Sequence, residues 1–274
     1  MTLGEVREAI AGLDGEERAR AAGRLRRDPR AGARRLAEGI LGARAREETE
    51  MARLMALERF EVEARRGGAT VVAGVDEVGR GPLAGPVFAA AVVFPPGVRL
   101  PNLDDSKRLT AGERETLCPS IRAAAIGVAV GRAEVEEIDA VNIRQASFRA
   151  MRRALAGLSV TVDFVLVDGF RIPEMDLPQR AIVKGDSLSV SIAAASVIAK
   201  VARDAVMVEY DGQYPGYGFA EHKGYATAEH IGALRRLGPC PIHRRSFKWG
   251  EDSRAEQLNF DALVFDTEGE GRGR

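Results

Sequence analysis

Three short apolar segments of this chain each run into an acid beside a glycine. VVAGVDEVGRG carries Asp76 and Glu77, FVLVDG ends on Asp168 and Gly169, and IVKGDS reaches Asp186. Apolar, β-branched runs of this length read as buried strands. If those strands adjoin, their ends gather four carboxylates at one edge of a sheet. Carboxylates so close repel one another and are costly to desolvate. A divalent cation removes that cost, and an all-oxygen ligand set suits Mg2+ or Mn2+. Two such ions can activate a water and stabilise the leaving oxygen of an in-line phosphoryl displacement. A single Asp-Gly pair would be an ordinary turn; the same pattern three times points to a shared site. Asp76 and Glu77 are neighbours, and successive strand residues face opposite ways. Either the chain bends there, or Glu77 offers its backbone carbonyl.

Groups suited to recognition lie close by in the sequence. Gly79-Arg80-Gly81 follows the first acid pair, and two glycines around an arginine let a backbone approach a sugar or phosphate and present N–H donors. His222-Lys223-Gly224-Tyr225 joins a cation to an aromatic face able to stack on a nucleotide. His243-Arg244-Arg245-Ser246 reads as local positive charge. Three histidines are too few and too scattered for a zinc site; they read as hydrogen-bonding or phosphate-contacting groups. Only five of the 40 basic residues are lysine, and Lys107 and Lys184 fall in the polar clusters DDSK and VKGDS. In a chain that uses arginine for general positive charge, a compact ammonium at such a place suggests a tight site.

The surrounding elements can be read from periodicity and punctuation. Residues 1–68 read as a helical extension: Thr2 and Glu5 form a capping box, Asp28-Pro29 breaks the chain, and Gly67-Gly68 ends the segment. From Arg18 to Arg46 there are ten arginines against two acids, either a solvated helical face or a path for a phosphate backbone. Residues 69–250 alternate strands (71–75, 87–94, 125–130, 164–167, 181–183) with helices, one spanning 134–158, one through SIAAASVIAKVARDAVMVEY and one from Thr227 to Leu237. This is the pattern of an α/β fold with a mixed central sheet flanked by helices. Residues 251–274 form a C-terminal segment whose Gly, Glu and Arg-rich end is expected to be disordered.

Composition narrows the class. With 45% apolar and 29% charged residues over 274 positions, the chain is of ordinary globular type. Forty basic and forty acidic residues cancel, so net charge neither requires nor forbids a polyanionic partner. No apolar run is long enough to span a bilayer. The acidic N-terminus lacks a secretory pattern, and two unpatterned cysteines fit a reducing compartment. A cytoplasmic protein is expected.

AGVDEVGRGPLAGPV, DDSKRL, VLVDG, VKGDS, AAASVIAKVARD, HKGYAT and HRRSF, in that order, resemble the ribonuclease HII family over about residues 70–248. The helical extension is similar to that of some bacterial members. The resemblance implies a ribonuclease H-like fold and a metal-dependent endonuclease using Mn2+ or Mg2+, two ions being expected. Its substrates would be the RNA strand of RNA–DNA hybrids and single ribonucleotides in duplex DNA, cut on their 5′ side to leave 3′-hydroxyl and 5′-phosphate ends. Asp76, Glu77, Asp168 and Asp186 match the family's metal-binding acids. Gly79, Arg80 and Gly81 match the loop that reads the 2′-hydroxyl, and Tyr225 the tyrosine that stacks on the sugar. Lys107 and Lys184 are expected to neutralise phosphate. No protein partner is implied, and a monomer is expected. A binding module without catalysis leaves the strand-end acids unexplained, since acids repel phosphate. An integrase-like nuclease has no use for ribose discrimination.

Overall fold

The computed structural model describes residues 2–249; the expected C-terminal segment at 251–274 lies outside the described residues. The chain divides into two compact units, Met1–Ala56 and a second beginning at Leu57. The division falls ahead of the Gly67-Gly68 pair.

The first unit is helical: α1 (Leu3–Ala11), α2 (Gly15–Leu25) and α3 (Ala31–Leu57). Thr2 and Asp14 open α1 and α2 with reciprocal capping boxes to Glu5 and Glu17, each satisfying helix-end N–H groups. The break at Asp28-Pro29 separates α2 from α3, as expected. Small residues, Ala21, Ala22, Ala33 and Ala37, form much of this unit's buried surface.

In the second unit, α4 (Arg59–Arg66) precedes a five-stranded sheet of β1 (Val72–Val78), β2 (Val87–Val93), β3 (Gly127–Ala133), β4 (Phe164–Asp168) and β5 (Gln179–Ile182). Strand order is β3-β2-β1-β4-β5. The first three form an antiparallel meander, while β4 and β5 add parallel to β1. The helices are α5 (Ala111–Ala124), α6 (Val135–Val141), α7 (Ile143–Ala156), α8 (Val190–Gln213), α9 (Phe219–His222) and α10 (Ala228–Leu237). The expected helix over 134–158 is two helices. Asn142, at φ 71°, breaks it, and its side chain caps the start of α7 through the Gln145 N–H.

Alternation along the strands assigns the two faces. Ala73, Val75, Ala89 and Ala91 pack with Phe148, Met151 and Ala154 of α7. Ala90 and Val92 pack with Ala194, Val197 and Ile198 of α8. At Gly74 a Cβ would stand 2.3 Å from the Ser191 carbonyl carbon, so only glycine lets β1 and the start of α8 come this close. The α8 start is pinned by α4 as well. Buried Glu61 accepts from the Ser191 N–H at 3.0 Å and from the hydroxyls of Ser189 and Ser191 at 2.5 Å each. A carboxylate at a helix N-terminus is favoured by the helix dipole.

Candidate active site

Parallel pairing brings the acids together. Val75 stands opposite Val167, so the next residues, Asp76 and Asp168, emerge side by side at the same end of the sheet. Asp186 follows β5 in a 3-10 turn (Gly185–Ser187) at that end. Asp76 and Asp186 are each 4% exposed. The chain does not bend between Asp76 and Glu77: both belong to β1, paired with Ala90 and Ala89. Asp76 lies on the α8 face near Ser196, while Glu77 lies on the α7 face in a shallow cleft with Ser147, Met151 and Asp168. Asp168, at the strand tip, meets both.

Each acid already has a partner. Asp76 Oδ1 accepts from the Glu77 N–H at 2.7 Å. Glu77 Oε1 accepts from Arg80 at 3.1 Å, Asp168 Oδ1 from the Gly185 N–H at 2.7 Å, and Asp186 Oδ2 from Lys107 Nζ at 3.0 Å. These bonds do not neutralise the site. Burial, then the charges of Asp168 and Glu77, push the Asp76 carboxyl well above the usual range. Burial, with Glu77 and Asp186, raises Asp168 to about 6. Among the described residues no three acidic, histidine or cysteine side chains already enclose a point as a closed ligand set. The donor chemistry nonetheless fits a hard divalent cation: all the groups are carboxylates under mutual repulsion, and Glu77 Oε2 is buried with no hydrogen-bond partner.

The Gly79-Arg80-Gly81 loop is joined to this corner by the Arg80–Glu77 pair and held from behind by two buried arginines. Arg244 is 2% exposed and donates to the carbonyls of Gly79 at 2.5 Å, Arg80 at 2.9 Å and Gly85 at 2.7 Å. Arg203, fully buried, donates to Pro86 and Ala84 carbonyls, each at 3.1 Å. Gly79 has φ +89°, and a Cβ there would fall 2.2 Å from Arg203 Nε. With the Gly79 and Arg80 carbonyls turned toward Arg244, the loop's backbone N–H groups are candidate donors to a ligand.

Tyr225 closes the other side, half-exposed, its ring 3.8 Å from where a Gly81 Cβ would stand. The Leu83 N–H donates to the Gly224 carbonyl at 2.8 Å, tying loop and tyrosine together. Lys107 reaches Asp186, positioned by the buried Ser106–Ser196 hydroxyl pair at 2.6 Å. Partial burial opposes its charge, but Asp186 outweighs that and raises the Lys107 pKa. Lys184 stands exposed in a left-handed conformation and makes no ion pair among the described residues.

One expectation needs correction. Arg244 adds no surface charge; its guanidinium is buried under the loop. The three histidines, scattered in sequence, make the hydrogen bonds expected of them and also pack together, with His222 and His230 stacked at 4.4 Å. Sequence reasoning missed Arg203, Ser106 and Ser196. Arg203 had one available signal, an arginine on the alanine-rich face of a helix otherwise built for close packing.

The sequence profile described as Ribonuclease HII matches residues 73–249. The chain belongs to the ribonuclease HII family. A ribonuclease HII of Myxococcus xanthus is 56% identical over 221 residues, covering 80% of this chain and 75% of the relative. One from Anaeromyxobacter sp. is 50% identical over 248 residues, 90% of this chain and 79% of the relative. Among solved structures, the ribonuclease H2 of Pyrococcus horikoshii aligns with a TM-score of 0.55 at 26% identity, covering 70% of this chain and 99% of that one. The RNase HII in a PCNA complex from Archaeoglobus fulgidus aligns at 0.57 and 26% identity, over 68% and 100%. As a ribonuclease HII, the chain is a metal-dependent endonuclease that cleaves the RNA strand of RNA–DNA hybrids, and its fold is ribonuclease H-like. Among the described residues no helix is long and apolar enough to cross a membrane.

Proposed function

We propose that this ribonuclease HII also cuts duplex DNA on the 5′ side of a single embedded ribonucleotide, leaving 3′-hydroxyl and 5′-phosphate ends. The observation that carries the reading is the Arg80–Glu77 pair at 3.1 Å: it makes the loop suited to a ribose and the acids suited to a metal one rigid piece. A sugar read at Gly79-Arg80-Gly81 then has its phosphate beside Asp76 and Asp168.

Asp76, Glu77, Asp168 and Asp186 are the residues that would hold Mn2+ or Mg2+. Bound there, such ions supply a more acidic attacking water and charge neutralisation at the departing O3′. The chain's own groups orient the substrate. The N–H groups of the loop receive the 2′-hydroxyl, the group that separates RNA from DNA. The Tyr225 ring stacks on the sugar beyond it. Lys107, released from Asp186, and the exposed Lys184 neutralise phosphate oxygens. Residues 1–68 are read as an extension to this catalytic part; because Glu58 and Glu61 of the 57–66 stretch are buried in the second unit, deletion up to Ala56 tests that reading without cutting into the fold.

The test is cleavage of a duplex carrying one ribonucleotide, with Mn2+ or Mg2+ and with chelator. A metal-dependent nick 5′ to the ribonucleotide, absent on all-DNA duplex, supports the proposal. Cutting only long hybrids, or cutting all-DNA duplex, overturns it.

A further inference from the structure

All three histidines of the chain meet beside Tyr225: His222 at the end of α9, His230 in α10 and His243 in the loop that follows. Backbone donors decide where their protons sit. The Gly224 N–H donates to His222 Nδ1 at 3.1 Å and the Cys240 N–H to His243 Nδ1 at 2.9 Å; the Cys240 carbonyl, at 3.2 Å, is the more distant group. Both rings therefore carry their proton on Nε2. His222 Nε2 donates to the Tyr217 carbonyl at 2.8 Å. His243 Nε2 donates to His230 Nε2 at 3.1 Å, which must be bare. His230 then holds its proton on Nδ1, where it donates to the Tyr225 carbonyl at 2.9 Å. Every ring nitrogen is used, and the pattern leaves His230 and His243 neutral.

The surroundings keep it so. The rings pack against Tyr217 and Phe219. The titratable neighbours are the Tyr217 hydroxyl, which donates to the Gly238 carbonyl, and the Cys240 thiol; Glu229 acts only on His222, through space. Among the described residues no acid is hydrogen-bonded or ion-paired to His230 or His243. Burial lowers His230 to about 4 and His243 below its ordinary value.

The same stretch of chain also reaches the opposite jaw. Arg244, next after His243, grips the Gly79, Arg80 and Gly85 carbonyls, and its own N–H donates to the Leu83 carbonyl at 2.9 Å. One dipeptide thus anchors both walls of the gap between the loop and the Tyr225 ring. We propose that the His243–His230 relay is a positioning device that fixes Tyr225 at its distance from the Gly79-Arg80-Gly81 loop, and that through Tyr225 it sets how well a single embedded ribonucleotide is cut. This rests on the reading of Tyr225 as the ring that contacts the sugar.

Two substitutions separate the bonds. His230→Phe keeps an aromatic ring and makes neither bond. His230→Asn places an amide N–H near the old Nδ1 position and keeps only the bond to Tyr225. His230→Phe is expected to lower kcat on the single-ribonucleotide duplex roughly tenfold, the worth of about one hydrogen bond, with a smaller change in KM and a smaller loss on a long hybrid. His230→Asn is expected to recover only part of that loss, since it restores the bond to Tyr225 without the link to His243. Tyr225→Ala is measured alone and combined with His230→Phe, and the two losses should not multiply. If Tyr225→Ala changes nothing, the Tyr225 reading falls and takes this one with it. If Tyr225→Ala impairs cutting while His230→Phe does not, or the two effects multiply, the relay is overturned and the Tyr225 reading stands. Should His230→Phe not fold, 15N NMR of the wild-type histidines decides: at pH 7 the relay requires a neutral Nδ1–H ring at His230 and a neutral Nε2–H ring at His243. A charged or Nε2–H His230 overturns it.

Discussion

The site joins two buried corners of opposite sign, and they settle their charge in different ways. At the strand ends four carboxylates are held by bonds that include Lys107, Arg80, two backbone N–H groups and Ser196. Behind the loop, Arg203 and Arg244 are buried with no carboxylate at hydrogen-bond distance among the described residues; backbone carbonyls take their bonds, and Arg203 Nη1 alone of these donors has no partner. Fixed dipoles suit a charge that must stay in place, because they cannot leave. Among the acids' partners, Lys107 on Asp186 is one that can be exchanged for a divalent ion. Architecture rests on one corner, and chemistry on the other.

The contrast breaks most sharply at Asp76. Asp76→Asn is expected to lower cleavage by on the order of 10^3-fold while the far-UV CD spectrum stays native. A folded Asp76→Asn protein with wild-type turnover would falsify its role. On the arginine side, Arg244→Met leaves three carbonyls without their donor. It should cost about 3 kcal/mol and lower Tm by about 10 °C, read by thermal unfolding; an unchanged Tm would mean the loop does not depend on that clamp.

Acidity separates the corners by sign. Asp168 is raised to about 6 in the folded chain, against an ordinary value near 3.9, so between about pH 4 and pH 6 the folded state holds the extra proton. Without metal, stability should fall as pH rises through that window, by of order 3 kcal/mol from this group, and then level off. His230, lowered to about 4, acts oppositely: its contribution is lost as pH falls from about 6.5 toward 4. Adding Mn2+ or Mg2+ at pH 7 should raise Tm by mass action, and Asp168→Asn should leave the rising histidine limb alone. A chelated wild-type protein whose stability follows the histidine limb unopposed would remove the carboxylate strain.

Smaller effects sharpen the recognition side. Tyr225→Ala should keep hybrid affinity while lowering single-ribonucleotide cleavage about tenfold, the scale of one lost stacking contact; equal loss on both substrates would make the ring a general contact. Lys184→Gln should weaken hybrid binding a few-fold and reduce the salt slope of log K by about 1. No change in that slope would place Lys184 away from phosphate.

The legible parts of the molecule were those with a local signature. The strand-then-acid pattern named Asp76, Asp168 and Asp186, because alternation and turn chemistry operate over a few residues. The Thr2–Glu5 capping box was readable for the same reason. The α5 helix is hard to read from sequence, although Thr110 and Glu113 form a capping box, because Pro119 lies within it and argues against a helix. The split at Asn142 was hidden by apolar spacing that continues across it. The Arg203 and Arg244 clamps and the histidine stack were illegible in a deeper sense. Their partners are main-chain atoms or rings many residues away, and a side chain that binds a distant carbonyl leaves no periodicity behind.

The sheet order has a consequence for the chain as it is being made. The meander β1-β2-β3 pairs nearest neighbours in sequence and can form early, since local contacts carry little loop-closure cost. Asp76 and Glu77 are already in it. Asp168 and Asp186 join only when β4 and β5 dock beside β1, some 90 residues from their partners at the Val72–Phe164 pairing. A nascent chain therefore holds half of its acids and none of its tyrosine wall. The loop bearing His243 and Arg244 is the last of these parts to be made, so nuclease activity is expected only once nearly the whole catalytic part has emerged.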